Sequence, residues 1–181
     1  MFQAGKAATI AKEMVRYNLS VLGLGETRWT QSGEVKLPSG QSVIYSGHEE
    51  DGENHTEGVA IMMTKETRKA LIAWEPISSR LITASFKTNN RRVTAHIIQC
   101  YAPTTDAVDD VSLNHLLGRV GARDFIILMG DFNAKIGGRN EGVMGKHGVG
   151  KMNENGEMFV ETCVNNNLVI GGSVFPHTNH T

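Results

Sequence analysis

Cysteine is scarce in this chain: 181 residues carry two, Cys100 and Cys163. They lie far apart, in no metal-ligand spacing and among apolar neighbours, so they read as core thiols of a chain suited to a reducing compartment. No apolar run approaches the roughly 20 residues of a membrane span. The N-terminal residues, Met1 to Lys6, hold no apolar segment of signal-peptide type, and an intracellular protein is expected. Charge of one sign is also lacking. The formal net charge is -1, so bulk electrostatics do not advertise nucleic-acid binding, and any basic surface must be local. There is no internal repeat, low-complexity tract or linker. One domain over residues 1–181, with a real hydrophobic core, is expected.

Several site types are missing too. No Gly-Lys-Ser/Thr occurs, which excludes a P-loop. The acidic stretch 48–57 carries Glu49, Glu50, Asp51, Glu53 and Glu57 with no Lys or Arg. It lacks EF-hand spacing. It reads as a solvated loop that repels phosphate and lies away from any DNA. His177 and His180 have no cysteine near them, and no zinc pair is read there.

What is present centres on residues 125–134. The unbroken apolar run 125–129 suits a strand buried on both faces. Gly130 breaks it, and Asp131 and Asn133 follow. If the backbone stays extended, their side chains point to one side. Such a pair can hold a phosphate oxygen, a water nucleophile or a hard metal ion. Gly, Asp and Asn equally favour a turn. Local chemistry leaves both readings open.

The rest of the chain reads as alternating helices and strands. Residues 7–17 form a helix with Ala7, Ile10, Met14 and Tyr17 on one face, and 19–24 form a buried strand. Glu26 follows directly, where a carboxylate is costly unless paired or metal-bound; a surface pair with Arg28 is the alternative. Residues 35–47 read as a hairpin turning at 38–40, and 58–64 as an apolar strand. A second hairpin joins 80–87 to 92–101 and stops at Pro103. It leaves Tyr101 at a strand end, as a site residue or as a core tyrosine with a satisfied hydroxyl. Thr105 can cap a helix over 107–120, with Leu113, Leu116, Leu117 and Val120 as its stripe. The segment 135–151 holds Lys135, Arg139, Lys146 and Lys151 against Glu141, with six glycines. It is a candidate for DNA-backbone contact, its glycines allowing close approach to a ligand, or else a mobile basic loop. Asn155 can cap a helix over 156–165 with Phe159, Val160, Cys163 and Val164 inward, and 168–170 reads as a strand.

Five stretches together resemble the endonuclease/exonuclease/phosphatase superfamily: Leu-Gly-Glu-Thr-Arg-Trp (24–29), Glu-Gly-Val-Ala (57–60), Cys-Tyr-Ala-Pro-Thr (100–104), Gly-Asp-Phe-Asn-Ala (130–134) and Asn-Glu-Asn-Gly-Glu (153–157). Within it the chain is most similar to endonuclease domains of RTE-type non-LTR retrotransposons. The resemblance implies an α/β fold, a four-layer α/β/β/α sandwich. It implies Mg²⁺-dependent phosphodiester hydrolysis on DNA, with Mn²⁺ as a substitute. Glu26 would be the metal ligand. Asp131 would orient or deprotonate the water, and Asn133 and Tyr101 would grip the phosphate. These four side chains are expected to converge in one cleft. A nuclear location and a reverse transcriptase in the full-length element also follow from the likeness. The chain departs from the family pattern at both ends: the family's first strand, a later Asp and the closing Ser-Asp-His have no counterpart. An incomplete and impaired domain is therefore expected, or a non-catalytic remnant that binds metal or nucleic acid weakly.

Overall fold

The computed structural model describes residues 4–48, 57–102, 110–138 and 142–176. The chain divides into two compact units. The first comprises Met1–Tyr101 and Val120–Gly130, and the second Ala102–Arg119 and Asp131–Thr181.

The first unit begins with helix α1 (Ala4–Arg16). Its apolar residues recur every three to four positions. Ala7, Ala11 and Met14 are buried against Leu37, Val43, Ala60 and Met62. The two alanines let the helix lie close to the sheet beneath it. The helix stops where Asn18 takes a left-handed conformation (φ 52°) and the Leu19 N–H donates to the Met14 carbonyl at 2.9 Å, closing an orphan acceptor of the last turn. Tyr17 falls beyond this stop and is largely exposed, rather than joining the buried face.

The first sheet comprises β1 (Val21–Leu24), β2 (Ser32–Lys36), β3 (Ser42–Ser46) and β4 (Val59–Met63), in the order β1-β4-β3-β2 with every neighbour antiparallel. The β2–β3 hairpin turns through Gly40 (φ 99°), as its Pro-Ser-Gly sequence predicts. All five residues of β4 are buried. Alternation sends Ala60 and Met62 toward α1, and Val59, Ile61 and Met63 toward the second sheet.

A short helix, α2 (Lys65–Ala70), is capped by Thr64, whose side chain accepts from the Thr67 N–H. It leads into the second sheet: β5 (Leu71–Ser78), β6 (Leu81–Lys87), β7 (Thr94–Tyr101) and β8 (Phe125–Asp131), ordered β5-β6-β7-β8. Ile82, Ala84, Phe86 and Ile97 meet the first sheet's Ile44, Val59, Ile61 and Met63 in one core. Helix on sheet on sheet thus accounts for three of the expected layers. β8 departs from expectation, because Phe125 is 57% and Ile127 40% exposed. It is the last strand in its sheet's order, and its inward and outward residues alternate.

The second unit contains α3 (Asp110–Gly118), with Leu113, Leu116 and Leu117 buried, and α4 (Glu154–Asn165). Its core gathers Met144, Val160, Cys163 and Ile170, with Phe159 and Leu168 against them. Val164 points outward instead. Residues 168–170 form no strand, only one bridge between Ile170 and Met144. Both cysteines are buried free thiols. Burial pushes the Cys163 thiol up to about 11 and Cys100 higher still. Among the described residues, no helix is long and apolar enough to cross a membrane.

Candidate functional site

Between β1 and β2 the backbone turns sharply. Glu26, Arg28 and Gln31 all take left-handed conformations (φ 49°, 57° and 61°), which are uncommon for residues other than glycine. Backbone hydrogen bonds hold this loop in place. Thr27 N–H donates to the Gly58 carbonyl at 3.0 Å, and Arg28 N–H to the Glu57 carbonyl at 2.7 Å. Gly58 itself has φ 121°, and a Cβ there would lie 2.4 Å from Thr27 Oγ1, so the close approach requires glycine. The Glu-Gly pair of the 57–60 motif is therefore the backing of the Glu26 loop.

The loop presents an exposed Glu26 carboxylate. The Tyr101 hydroxyl donates to its Oε1 at 2.7 Å. Tyr101 is itself buried, and its N–H donates to the Arg80 carbonyl at 2.9 Å. The two readings of Tyr101 merge: it is a core tyrosine whose hydroxyl is satisfied by the candidate ligand. Glu26 pairs with Tyr101, not Arg28. A cavity of about 420 Å³ adjoins the loop, lined by Lys6, Ala7, Ile10, Glu26, Arg28 and Trp29 among others. The described residues hold no group of three or more His, Cys, Asp or Glu side chains. A single hard, exposed carboxylate suits Mg²⁺, which takes one or two carboxylates and keeps its waters. It does not suit a structural zinc, which needs four closed ligands.

Glu57 is not the solvated residue expected of the acidic stretch. Its Oε1 accepts from Arg80 Nε at 2.7 Å and lies 2.6 Å from Arg80 Nη2. Its Oε2 accepts from Ser79 Oγ at 2.6 Å, with His48 Nε2 at 3.5 Å. Burial alone would raise its carboxyl. The hydrogen bonds from Arg80 and Ser79, with the charges of Arg80 and His48, outweigh that and hold it below the ordinary glutamate value. A carboxyl depressed by folding contributes stability above its unfolded pKa and loses it as pH falls through the folded one. Thermal melts are thus expected to weaken below the ordinary carboxylate range, and Glu57→Gln to flatten that acid limb. An unchanged acid limb in Glu57→Gln would refute this. Residues 49–56 of the acidic stretch lie outside the described residues.

In the second unit, Asp131 and Asn133 meet through a turn rather than along an extended strand. Asn133 is left-handed (φ 45°), and its N–H donates to Asp131 Oδ1 at 3.0 Å, an Asx-type turn. Asn133 Nδ2 donates to the Ala102 carbonyl at 2.7 Å, and Ala102 N–H to the Asp131 carbonyl at 2.8 Å. The 153–157 motif clamps the same segment. Asn153 Nδ2 donates to the Asn133 carbonyl at 3.0 Å and Asn155 Nδ2 to the Phe132 carbonyl at 3.2 Å. Asn153 Oδ1 accepts from Lys135 N–H at 2.7 Å and from Gly156 N–H at 2.9 Å. Asn153, not Asn155, is thus the cap of α4. Asn153→Ala should lower stability by about 1–2 kcal/mol, the upper range for a lost cap, since it also frees the Asn133 carbonyl and Lys135 N–H; chemical denaturation measures it, and a loss under 0.5 kcal/mol would refute the clamp.

Two glycines of the basic segment allow close approach within the chain itself. A Cβ on Gly148 would meet the Gly137 carbonyl oxygen at 2.0 Å, and one on Gly145 the Ser173 oxygen at 2.3 Å. Lys135, Lys146 and Lys151 are exposed. Arg139, Thr105, His177 and His180 lie outside the described residues. The structure pairs Glu26 with Tyr101 in the first unit and Asp131 with Asn133 in the second. Sequence reasoning missed Arg80, Asn153 and the pairing of Glu57.

Among solved structures, the endonuclease domain of TRAS1, a telomere-specific non-LTR retrotransposon, is similar with a TM-score of 0.53 and 17% identity, over 88% of this chain and 64% of that one. An AP endonuclease, LMAP from Leishmania major, is similar with a TM-score of 0.60 and 14% identity, over 92% of this chain and 64% of that one. The fold is DNase I-like. No protein-family model matches the chain. Craniofacial development protein 2 from Bos taurus is 33% identical over 178 residues, covering 94% of this chain and 29% of that protein. Its counterpart from Tragulus javanicus is 32% identical over 178 residues, covering 94% and 30%. This DNase I-like chain therefore spans less than a third of the length of these curated relatives. In fold it resembles both a retrotransposon endonuclease domain and an AP endonuclease.

Proposed function

We propose that this chain hydrolyses phosphodiester bonds in DNA as a single Mg²⁺-dependent endonuclease domain, with Mn²⁺ able to replace Mg²⁺. The observation that carries the reading is the Tyr101 hydroxyl set on an exposed Glu26 carboxylate in a DNase I-like fold. Glu26 would hold the divalent cation. When bound, that ion would offset charge on the phosphate and leaving oxygens. Asp131 orients the attacking water and takes its proton as the water oxygen bonds to phosphorus. The bond from phosphorus to the 3′ oxygen breaks, and that oxygen leaves as an oxyanion that takes a proton from solvent water to become the 3′-hydroxyl. Asn133 would donate the second N–H of its Nδ2 to the phosphate, and Tyr101 would donate to it on turning its hydroxyl from Glu26. Lys135, Arg139, Lys146 and Lys151 neutralise neighbouring backbone phosphates without reading sequence. In a retrotransposon setting, such a nick in nuclear DNA would prime a reverse transcriptase carried elsewhere in the element.

Nicking of supercoiled plasmid tests this, with Mg²⁺ against a chelator control. The expected result is slow, Mg²⁺-dependent conversion to the open circle, with turnover below that of other DNase I-like enzymes. Metal binding without any nicking would leave the alternative, a non-catalytic domain with weak affinity for metal or nucleic acid.

A further inference from the structure

We propose that the Glu57–Arg80 ion pair is a positioning device that sets the Glu26 carboxylate against the Tyr101 hydroxyl; the inference rests on the reading of those two groups as parts of a phosphodiesterase site. The contacts close into a ring. Tyr101 Oη donates to Glu26 at 2.7 Å. Two residues along, Arg28 N–H donates to the Glu57 carbonyl at 2.7 Å. The Glu57 carboxylate takes Arg80 Nε at 2.7 Å, and the Arg80 carbonyl takes Tyr101 N–H at 2.9 Å. Each link is a hydrogen bond of ordinary length.

The ring joins the two sheets of the first unit. Glu57 immediately precedes Gly58 and β4 of the first sheet. Ser79 and Arg80 form the turn between β5 and β6 of the second. Near that turn, Ser46 Oγ donates to the Ser78 carbonyl at 2.7 Å and stitches the sheets again. Glu26 cannot hold its own place, since its side chain is exposed and its backbone left-handed. Its loop relies on the Glu57 and Gly58 carbonyls. On that backing the described residues show a charge pair, Glu57 with Arg80, supported by Ser79 and His48. Neither Glu57 nor Arg80 is given a role on substrate. They act through the loop and through Tyr101.

The test uses the whole chain as Glu57→Gln, Arg80→Met, Arg80→Lys and the double variant Glu57→Gln/Arg80→Met. Three readouts are needed: kcat and KM for plasmid nicking, affinity for Mn²⁺ alone by electron paramagnetic resonance, and amide exchange at Thr27, Arg28 and Tyr101 by NMR well below the melting temperature. Small misplacements near a reacting centre cost up to about 10²-fold. Each of Glu57→Gln and Arg80→Met is therefore expected to lower kcat about 10- to 100-fold with KM within about twofold. The double variant should be no worse than the worse single one, as for residues acting as a unit. Arg80→Lys, which keeps one donor, should recover part of the loss. Mn²⁺ should bind more weakly in the Gln and Met variants, and the three amides should exchange faster. Additive losses, or unchanged Mn²⁺ affinity together with unchanged exchange, would overturn the proposal. Should the wild-type chain bind Mn²⁺ yet nick nothing, the phosphodiesterase reading fails by itself, and Mn²⁺ affinity and exchange still decide the positioning role.

Discussion

Asp131→Asn is expected to lower Mg²⁺-dependent nicking by about 10²–10⁴-fold, the usual worth of a general base, while leaving the fold intact. The substitution separates the turn that Asp131 forms from the base role proposed for it. As a turn former, it accepts the Asn133 N–H at 3.0 Å. Asparagine accepts through its own Oδ1 and tolerates the same turn, so the geometry around Asn133 survives. As the proposed base, the carboxylate would take a proton that an amide cannot. Asp131→Ala removes both functions and should lose the same catalytic factor together with about 0.5–1.5 kcal/mol for the lost hydrogen bond. Single-turnover nicking and thermal melts of both variants make the comparison, and they also exclude a contaminating nuclease. If Asp131→Asn nicks at the wild-type rate, Asp131 is a turn residue and nothing more.

The second large effect concerns folding. Gly130→Ala should destabilise the chain by about 1–3 kcal/mol or more, the range for overpacked sites. That corresponds to a fall in melting temperature of about 2–12 °C for a chain of this size. A Cβ on Gly130 would sit 2.0 Å from the Cys100 carbonyl oxygen and 2.8 Å from its carbon. The obstruction is backbone, so no side chain can swing away. Gly5 supplies the control. It lies inside α1 with nothing within 4 Å of its added Cβ, and Gly5→Ala should stabilise by about 0.5–1 kcal/mol. One substitution type should thus shift the melt in opposite directions at two positions. A Gly130→Ala melt at or above the wild-type temperature would mean that the strand can move aside.

Much of the architecture was readable where local patterns are strong. The 35–47 hairpin declared itself through a Pro-Ser-Gly turn, and the 80–101 hairpin through alternation on both sides of two asparagines. Helix α1 followed from its period. β5 escaped notice because Glu75 and Pro76 interrupt it, and only its edge position makes that proline tolerable. The half-exposed state of β8 is not legible in its apolar run, because such a run does not say which strand lies last in a sheet. Asn153 and Asn155 are the same residue type two positions apart, and either could have capped α4; the choice depends on Lys135 and Asn133, which approach only in three dimensions. The pairing of Glu57 is hidden from the sequence for a similar reason. It sits at the end of an acidic run, and the arginine that claims it lies 23 residues away. Of the candidate site, the structure brings together two pairs, Glu26 with Tyr101 and Asp131 with Asn133. Sequence leaves open whether Asp131 and Asn133 share one side of a strand or a turn, since Gly, Asp and Asn suit both; in the structure they form the turn.

Strand β4 has no residue facing water. Ala60 and Met62 are committed to α1, while Val59, Ile61 and Met63 are committed to the second sheet. Adjacent positions therefore belong to separate evolutionary accounts. A change at Met62 can be compensated only from α1 and the residues packed with it, such as Leu37. A change at Ile61 can be compensated only from residues such as Ile82 or Ile97. Neighbours in sequence should drift independently of each other and in step with partners far along the chain.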